Sequence, residues 1–162
     1  MKQIYFDDGL LDTYNVARPL LKSYKGDKIL SIVTGCVGKP IRWDRHKPQG
    51  APSMNIDQIK ELINEGWKIA SHGITHRYLT KLSHQEVNEE LVVSKKWIQD
   101  NLKVEPICFV APYGRRNDYI CKQVLIHYDY VRSKSTDCIV FHSLSMDPKE
   151  LERLEKFLRE NR

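Results

Sequence analysis

The chain has 162 residues, a hydrophobic fraction of 41%, a charged fraction of 29% and a formal net charge of +5. This length suits one domain with a substantial core, so we expect a single domain over residues 1–162. The composition is typical of a soluble globular protein, and no apolar run is long enough to span a membrane. Because the basic residues are spread along the chain, the sequence disfavours a nucleic-acid surface and indicates a mild attraction to anionic ligands.

The cysteines and the N-terminus bear on the compartment. Nothing at the N-terminus resembles a secretion signal. The four cysteines lack Cys-x-x-Cys spacing, and Cys108 and Cys138 lie in apolar runs. Buried thiols in a reducing compartment explain this pattern better than a disulfide framework does. We therefore expect a cytoplasmic protein with free cysteines, namely Cys36, Cys108, Cys121 and Cys138.

Short strand-like runs alternate with longer helical segments along the chain. The short runs are apolar and rich in β-branched residues, which favours strands over fragments of helices. Such alternation predicts an α/β fold with a parallel sheet and helical crossovers. The predicted strands cover residues 2–7, 28–34, 67–71, 106–111, 129–133 and 138–142.

Three predicted helices have recognisable ends. The first covers residues 57–65, with Asp57 as its N-cap. A Ser-x-x-Glu capping box opens a helix over 83–102, and an Asp-Pro pair at 147–148 opens the last helix.

Residues 36–56 show no periodicity and contain five Gly or Pro residues, which predicts a long loop. Loops of this length in compact domains are often functional. The densest basic cluster of the chain lies here, and it could bind a phosphate or uronate or simply be solvated. Trp43 could stack on a sugar ring or anchor the loop. The basic cluster comprises Arg42, Arg45, His46 and Lys47.

Several polar residues follow the ends of predicted strands. Asp7 and Asp8 follow the first strand, His72 and His76 follow the third, and His142 ends the sixth. Active sites of barrels and open α/β sheets assemble at the carboxyl ends of the strands. We therefore expect these side chains to share one edge of the sheet.

Two imidazoles and one carboxylate at this edge predict a metal centre. His72, His76 and Asp8 would be the ligands of one divalent ion with an open position for water, most simply Zn²⁺, with Co²⁺ or another ion as alternatives. Asp7 would then accept the proton of the attacking water. Each motif alone has a plain structural interpretation, as a chance histidine pair or an Asp-Gly turn. Their combination predicts a metal-dependent hydrolase.

Two further residues have a functional and a structural interpretation. His142 could be the general acid that protonates the leaving group, or a hydrogen-bonded histidine at a strand end. The backbone N–H of Tyr113 could stabilise an oxyanion, or Pro112–Gly114 could be a simple turn.

At this point the motifs resemble those of the polysaccharide deacetylases, carbohydrate esterases that act on chitin, peptidoglycan and related glycans. The resemblance covers roughly residues 3–160. Residues 6–9 are similar to the first motif of the family, 69–76 to the second, 109–114 to the third and 140–142 to the last.

The resemblance implies a distorted, incomplete (β/α) barrel of about six parallel strands with helical crossovers. It implies the removal of an N-acetyl group from an amino sugar or glycan, with one divalent metal ion as the cofactor. It gives roles to six residues: Asp8, His72 and His76 as metal ligands, Asp7 as base, His142 as acid and the Tyr113 amide in the oxyanion hole.

The chain departs from the family pattern in its third motif. The family carries an arginine there that pairs with the base, and this chain has Val110 or Ala111 instead. A nearby positive charge would keep the base ionised. Arg115, Arg116 and Arg132 are the candidates that could supply it, and the sequence does not rank them.

Two more departures concern the acid side of the site. The Asp-Trp motif that orients the acid histidine is not evident, and Asp137 and Asp147 are weak substitutes. The stretch at 135–137 is very short, which predicts a barrel open on that side and a shallow site.

The leading hypothesis is a cytoplasmic deacetylase of an acetylated sugar or small glycan, including an anionic one. One alternative is a hydrolase of cyclic amides or ureides with the same fold. Another is a non-catalytic glycan-binding member that retains the metal site, an interpretation that the missing arginine and the missing Asp-Trp motif support. The oligomeric state is left open.

Overall fold

The fold is built on a parallel sheet, seen in a computed structural model that describes residues 2–43, 50–132, 138–145 and 147–161. The sheet has the order β3-β2-β1-β4, and all three pairings are parallel. This arrangement confirms the predicted α/β class. Its strands are β1 (Gln3–Phe6), β2 (Lys28–Ile32), β3 (Lys68–Ser71) and β4 (Cys138–Phe141).

Both faces of the sheet are covered, which explains why its strands are almost continuously apolar. Side chains alternate between the faces along each strand. On one face Phe6 lies in the main core with Leu30 and Phe141. On the other face Tyr5 packs in a smaller cluster with Ile29, Ala70, Cys108 and Val110.

The prediction of regular strands over 106–111 and 129–133 is wrong for the residues described there, which exclude residue 133. Phe109 makes a single parallel bridge to Ser71 and another to Val131, so both segments continue the sheet beyond β3 without a ladder. Pro106 and Pro112 flank the first segment, and proline lacks the N–H that a longer ladder needs. The described residues thus form four strands and two bridged segments, without a closed barrel.

Within the described residues, five α-helices connect or flank the strands. The three helices predicted with clear ends are confirmed, with a shift at the first. That helix is capped by Asn55, and Asp57 lies in its first turn. Asn55 accepts from the Gln58 N–H while the Gln58 side chain accepts from the Asn55 N–H, which satisfies two donors that Asp57 could not. The helices are α1 (Arg18–Leu20), α2 (Ile56–Asn64), α3 (His84–Leu102), α4 (Asp118–His127) and α5 (Pro148–Glu160).

The loop predicted over 36–56 is held against the end of β1. Its two arms meet at an antiparallel bridge between Ile41 and Ala51. The Met54 N–H donates to the Gly9 carbonyl at 3.0 Å, which ties the loop to the turn after β1. Arg45, His46 and Lys47 of the basic cluster lie outside the described residues.

Two further expectations concern the thiols and the membrane. The four cysteines, all of which the structure describes, form no disulfide, as predicted. In the ranges described above, no helix is both long and apolar enough to cross a membrane.

Candidate metal centre

The turn after β1 presents two adjacent carboxylates to different partners. The Asp7 N–H donates to the Phe141 carbonyl at 3.0 Å, so Asp7 still lies in the sheet. Asp8 then adopts a left-handed conformation with φ of 73°. This conformation is unusual outside glycine, although Asp is among the residues that tolerate it, and it is often found where function fixes the backbone.

The loop after β3 carries the two histidines. The His72 N–H donates to the Ile32 carbonyl at 2.8 Å, which continues the pairing of β3 with β2. Gly73 and His76 then have positive φ values of 80° and 56°. The Gly35 N–H donates to the Ile74 carbonyl at 3.0 Å, and this bond fixes the loop on the segment after β2.

These two loops bring Asp8, His72 and His76 together. Asp8 Oδ1 lies 3.5 Å from His72 Nε2 and 3.2 Å from His76 Nε2. All three candidate ligand atoms lie within 4.8 Å of one another. Ligands at zinc-type distances around a tetrahedral ion are separated by about 3.3 Å. The spacing therefore fits three ligands of one ion.

The hydrogen bonds of the three side chains also fit a cation. His72 Nδ1 lies 2.7 Å from the Val110 carbonyl oxygen. A carbonyl can only accept, so Nδ1 carries a proton, and Nε2 is the ring nitrogen that faces Asp8. Buried Asp8 Oδ1 makes no hydrogen bond within the described part of the chain. A divalent ion would satisfy this oxygen and both Nε2 atoms.

Burial and neighbouring charges set the ionisation of this cluster. Burial opposes ionisation of Asp8, but the two imidazoles outweigh it and hold the pKa of Asp8 well below its usual range. Burial lowers the pKa of His76 below the ordinary value. For His72, burial is outweighed by Asp8 and Asp7, which raise the pKa of that ring. Asp8 is thus held as a carboxylate, and the lowered pKa of His76 favours its neutral form.

Asp7 makes a bidentate ion pair with Arg132. The two guanidinium nitrogens donate to Oδ1 at 2.7 Å and to Oδ2 at 2.8 Å. Arg132 also lies over the Tyr5 ring, 4.9 Å from its centroid. Burial alone would raise the pKa of Asp7, but Arg132 and then His72 lower it below its ordinary value. Among the three candidate arginines, Arg132 is the one that contacts Asp7, whereas Arg115 and Arg116 are exposed.

His142 lies on the other side of Asp7. Its Nε2 is 3.7 Å from Asp7 Oδ2, and its side chain is 57% exposed. Its backbone N–H donates to Glu150 Oε2 at 3.2 Å. Of the two aspartates considered as partners of His142, Asp147 caps α5 through the Lys149 N–H, and Asp137 lies outside the described residues.

Aromatic rings surround His76. Trp43 stacks on the His76 ring at a centroid distance of 4.2 Å, and the Tyr113 ring lies tilted to the His76 ring at a centroid distance of 4.6 Å. Tyr113 has φ of 57° and stacks in turn on Tyr78 at 4.0 Å. Trp43 also packs beside the cluster that contains Ile41, a contact that favours anchoring of the long loop among its two predicted roles. Tyr113 thus lies beside the metal centre.

Sequence reasoning missed two buried polar residues of α3 beneath the histidine loop. Glu90 accepts hydrogen bonds from Ile74 and Thr75, and Ser94 Oγ lies 2.9 Å from Ser71 Oγ. Both positions fall on the buried face of α3, at the spacing of its apolar core residues. A polar residue at a position where the helical spacing predicts an apolar one was the signal in the sequence that could have identified them.

The comparison with protein families agrees with this geometry. The polysaccharide deacetylase family profile matches residues 3–130. The chain belongs to the polysaccharide deacetylase family. The match includes the turn after β1, the histidine loop and the third motif, while β4 and His142 lie beyond it.

Two relatives within this family are similar over three quarters of the chain. YxkH of Bacillus subtilis, named as a polysaccharide deacetylase, is 33% identical over 119 residues, which are 74% of this chain and 39% of YxkH. A peptidoglycan-N-acetylglucosamine deacetylase of Bacillus cereus is 27% identical over 120 residues, 74% of this chain and 49% of that protein. The chain therefore spans less than half the length of these relatives.

Solved structures of the family share the fold. The Streptococcus pyogenes deacetylase PplD, solved with acetate, superposes with a TM-score of 0.68 at 23% identity, covering 94% of this chain and 69% of PplD. The Xyl-CE4 domain of a multidomain xylanase from the hindgut metagenome of Trinervitermes trinervoides gives a TM-score of 0.71 at 16% identity, covering 98% of this chain and 82% of that one.

Proposed function

We propose that this chain is a metal-dependent deacetylase that hydrolyses the N-acetyl group of an amino sugar or glycan. The observation that carries the proposal is that two adjacent carboxylates have different partners. Asp8 faces the two histidines, while Asp7 is paired with Arg132 and approached by His142. Metal binding and proton transfer thus have separate groups within one turn of the chain.

The proposed cofactor is one Zn²⁺, with Co²⁺ as the alternative, held by Asp8, His72 and His76. Two imidazoles, which bind metals in their neutral form, and a carboxylate suit such an ion and leave a coordination position open. When bound, the ion would polarise the amide carbonyl and lower the pKa of water toward neutrality.

Asp7 is the proposed general base. Arg132 lowers its pKa, so its carboxylate is ionised and can accept a proton at neutral pH. The bidentate contact also fixes the carboxylate plane, because both oxygens are held at 2.7 and 2.8 Å. Arg132 therefore takes the place that the motif arginine holds in the family pattern.

His142 is the proposed general acid, and the Tyr113 amide is the proposed oxyanion donor. His142 lies close to Asp7 and is exposed, so its ring can reach the leaving amine of a bound sugar. Tyr113 lies beside His76, and its positive φ shows that the turn holds its peptide in an unusual orientation. Both assignments keep the roles predicted from the sequence.

The proposed substrate class is an N-acetylated amino sugar within a glycan. The name of the Bacillus cereus relative includes N-acetylglucosamine, and PplD is named a deacetylase, which supports this choice. The net charge of +5 also allows an anionic glycan. The non-catalytic interpretation was based on the missing arginine and the missing Asp-Trp motif, and the contact of Arg132 with Asp7 removes the first of these two supports.

The first test is metal content and acetate release on the same protein. We expect about one Zn²⁺ per chain and metal-dependent release of acetate from N-acetylglucosamine oligomers. The Asp7→Asn variant should retain the metal and lose turnover, because it is isosteric and cannot accept the proton. Turnover that survives in Asp7→Asn would remove Asp7 as the base. Cyclic amides and ureides are tested in parallel. Hydrolysis of these compounds without acetate release would favour the alternative hydrolase over the deacetylase.

A further inference from the structure

A buried carboxylate of α3 lies under the loop that joins the two histidines. Glu90 is 2% exposed. Its Oε2 accepts the N–H of Ile74 at 2.6 Å and the N–H of Thr75 at 3.1 Å. Its Oε1 accepts the hydroxyl of Thr75. Three donors of two consecutive loop residues, Ile74 and Thr75, therefore converge on one side chain.

The loop is shaped to admit this carboxylate. Gly73 has φ of 80°, and a Cβ at this position would lie 2.8 Å from Glu90 Oε2. Any other residue would meet both an unfavourable backbone conformation and a clash with the carboxylate. The glycine between the histidines thus permits the close approach of Glu90.

The surroundings of Glu90 balance the cost of burying its charge. A buried carboxylate is costly unless hydrogen bonds and an opposite charge compensate it. Besides the three donors, Arg77 Nη2 lies 3.6 Å from Glu90 Oε1. One turn further along α3, Ser94 Oγ lies 2.9 Å from Ser71 Oγ, next to His72 in sequence. One face of α3 therefore holds the whole segment that carries the histidines.

We propose that Glu90 is a positioning residue that fixes the separation of His72 and His76 through the backbone of Ile74 and Thr75. The inference rests on the proposed function in taking these histidines as metal ligands. Glu90 is not itself a ligand, since its oxygens are occupied by the loop donors. Metal ligands need a second layer of contacts that orient them, and loss of such contacts typically weakens metal binding about 10–100-fold.

The test is the dissociation constant of Zn²⁺, measured by competition with a chelating dye, in wild type and two variants. Glu90→Ala removes both acceptor oxygens and with them all three hydrogen bonds to the loop, and we expect it to bind Zn²⁺ about 10–100-fold more weakly. Glu90→Gln keeps one carbonyl oxygen for the two N–H donors, so it should fall between Glu90→Ala and wild type. The absorption spectrum of the Co²⁺-loaded protein should change with the ligand geometry. Ile98→Val is the matched control, because it weakens the core of the same helix away from the loop.

Three outcomes decide the inference. Weakened Zn²⁺ binding in both Glu90 variants, with normal binding in Ile98→Val, supports it. Wild-type affinity and an unchanged Co²⁺ spectrum in the Glu90 variants would overturn it and leave the proposed function intact. A wild-type protein that binds no Zn²⁺ would overturn the proposed function, and this inference with it. If Glu90→Ala does not fold, Glu90→Gln and Thr75→Val decide between the same outcomes. Thr75→Val removes the hydroxyl that donates to Glu90 and accepts from Arg77, and it keeps both backbone donors.

Discussion

The two sides of the candidate site are held in very different ways. On the metal side, His72 and His76 are buried, and their loop is fixed by β2, α3 and Trp43. On the acid side, His142 is mostly exposed, and the one hydrogen bond described for it is that of its backbone N–H to Glu150. A metal centre must have its geometry before substrate arrives, whereas an acid can be oriented when the substrate binds.

Asp7 lies between these two sides and belongs to the rigid one. It is 2% exposed, and Arg132 holds both of its oxygens. The comparison predicts that substitutions on the metal side abolish metal binding and activity. Substitutions on the acid side should lower kcat and leave metal content and stability unchanged.

The largest effect is expected from removal of a metal ligand. His76→Ala should reduce bound Zn²⁺ from about one per chain to almost none and should abolish acetate release, because two ligands hold the ion poorly. A chelator should inactivate wild type, and added Zn²⁺ or Co²⁺ should restore it. Metal analysis and acetate release measure both effects. His84→Ala, which alters an exposed histidine at the start of α3, should behave as wild type; a shared loss would contradict the assignment.

Removal of the acid should slow turnover without disturbing the metal. We expect His142→Ala to lower kcat about 10²–10⁴-fold, the usual contribution of a general acid. Since the side chain is exposed, the free energy of unfolding should change by no more than about 0.5 kcal/mol. Metal content, kcat and urea denaturation together make the test. A variant that loses metal as well would show that the two sides are not independent.

A smaller loss of activity is expected when the base loses its arginine. Arg132→Met should lower kcat about 10–100-fold, because hydrogen bonds to a charged group contribute about 1.5–3 kcal/mol. It should also destabilise the fold, by about 3–5 kcal/mol if the buried Asp7 charge is left uncompensated. Metal content should stay at the wild-type value.

The two exposed arginines provide the controls for this change. Arg115→Ala and Arg116→Ala should leave kcat and stability unchanged, since both side chains are exposed. If either one matched Arg132→Met in its effect on kcat, the assignment of Arg132 to Asp7 would be wrong.

The strand ends were readable from the sequence because local patterns determine them. The Asp-Asp pair and the His-x-x-x-His pair each follow a short apolar run, and parallel strands bring such ends to one edge. The structure accordingly places Asp8 beside His72 and His76. Their roles in binding and catalysis stay predictions until they are measured.

Contacts between distant segments could not be read in the same way. Arg132 and Asp7 are separated by 125 residues, and their contact depends on the single bridge that places Val131 beside Phe109. No local pattern distinguishes Arg132 from Arg115, so the sequence could not rank them. The two bridged segments were overpredicted as strands for the same reason, since apolar content alone does not show how long a ladder runs.

The smallest expected effect tests what Trp43 does on the metal side of the site. Trp43 stacks on His76, and aromatic pairs contribute about 0.5–1.5 kcal/mol. Trp43→Ala should therefore weaken Zn²⁺ binding about 2–12-fold, which is this range converted to a dissociation constant. Trp43→Phe keeps a stacking ring and should bind Zn²⁺ nearly as wild type does. Zn²⁺ affinity and KM for N-acetylglucosamine oligomers, measured on both variants, separate anchoring from sugar stacking. If KM rises in Trp43→Ala while Zn²⁺ affinity is unchanged, Trp43 acts on the substrate, and the metal side of the site is rigid without it.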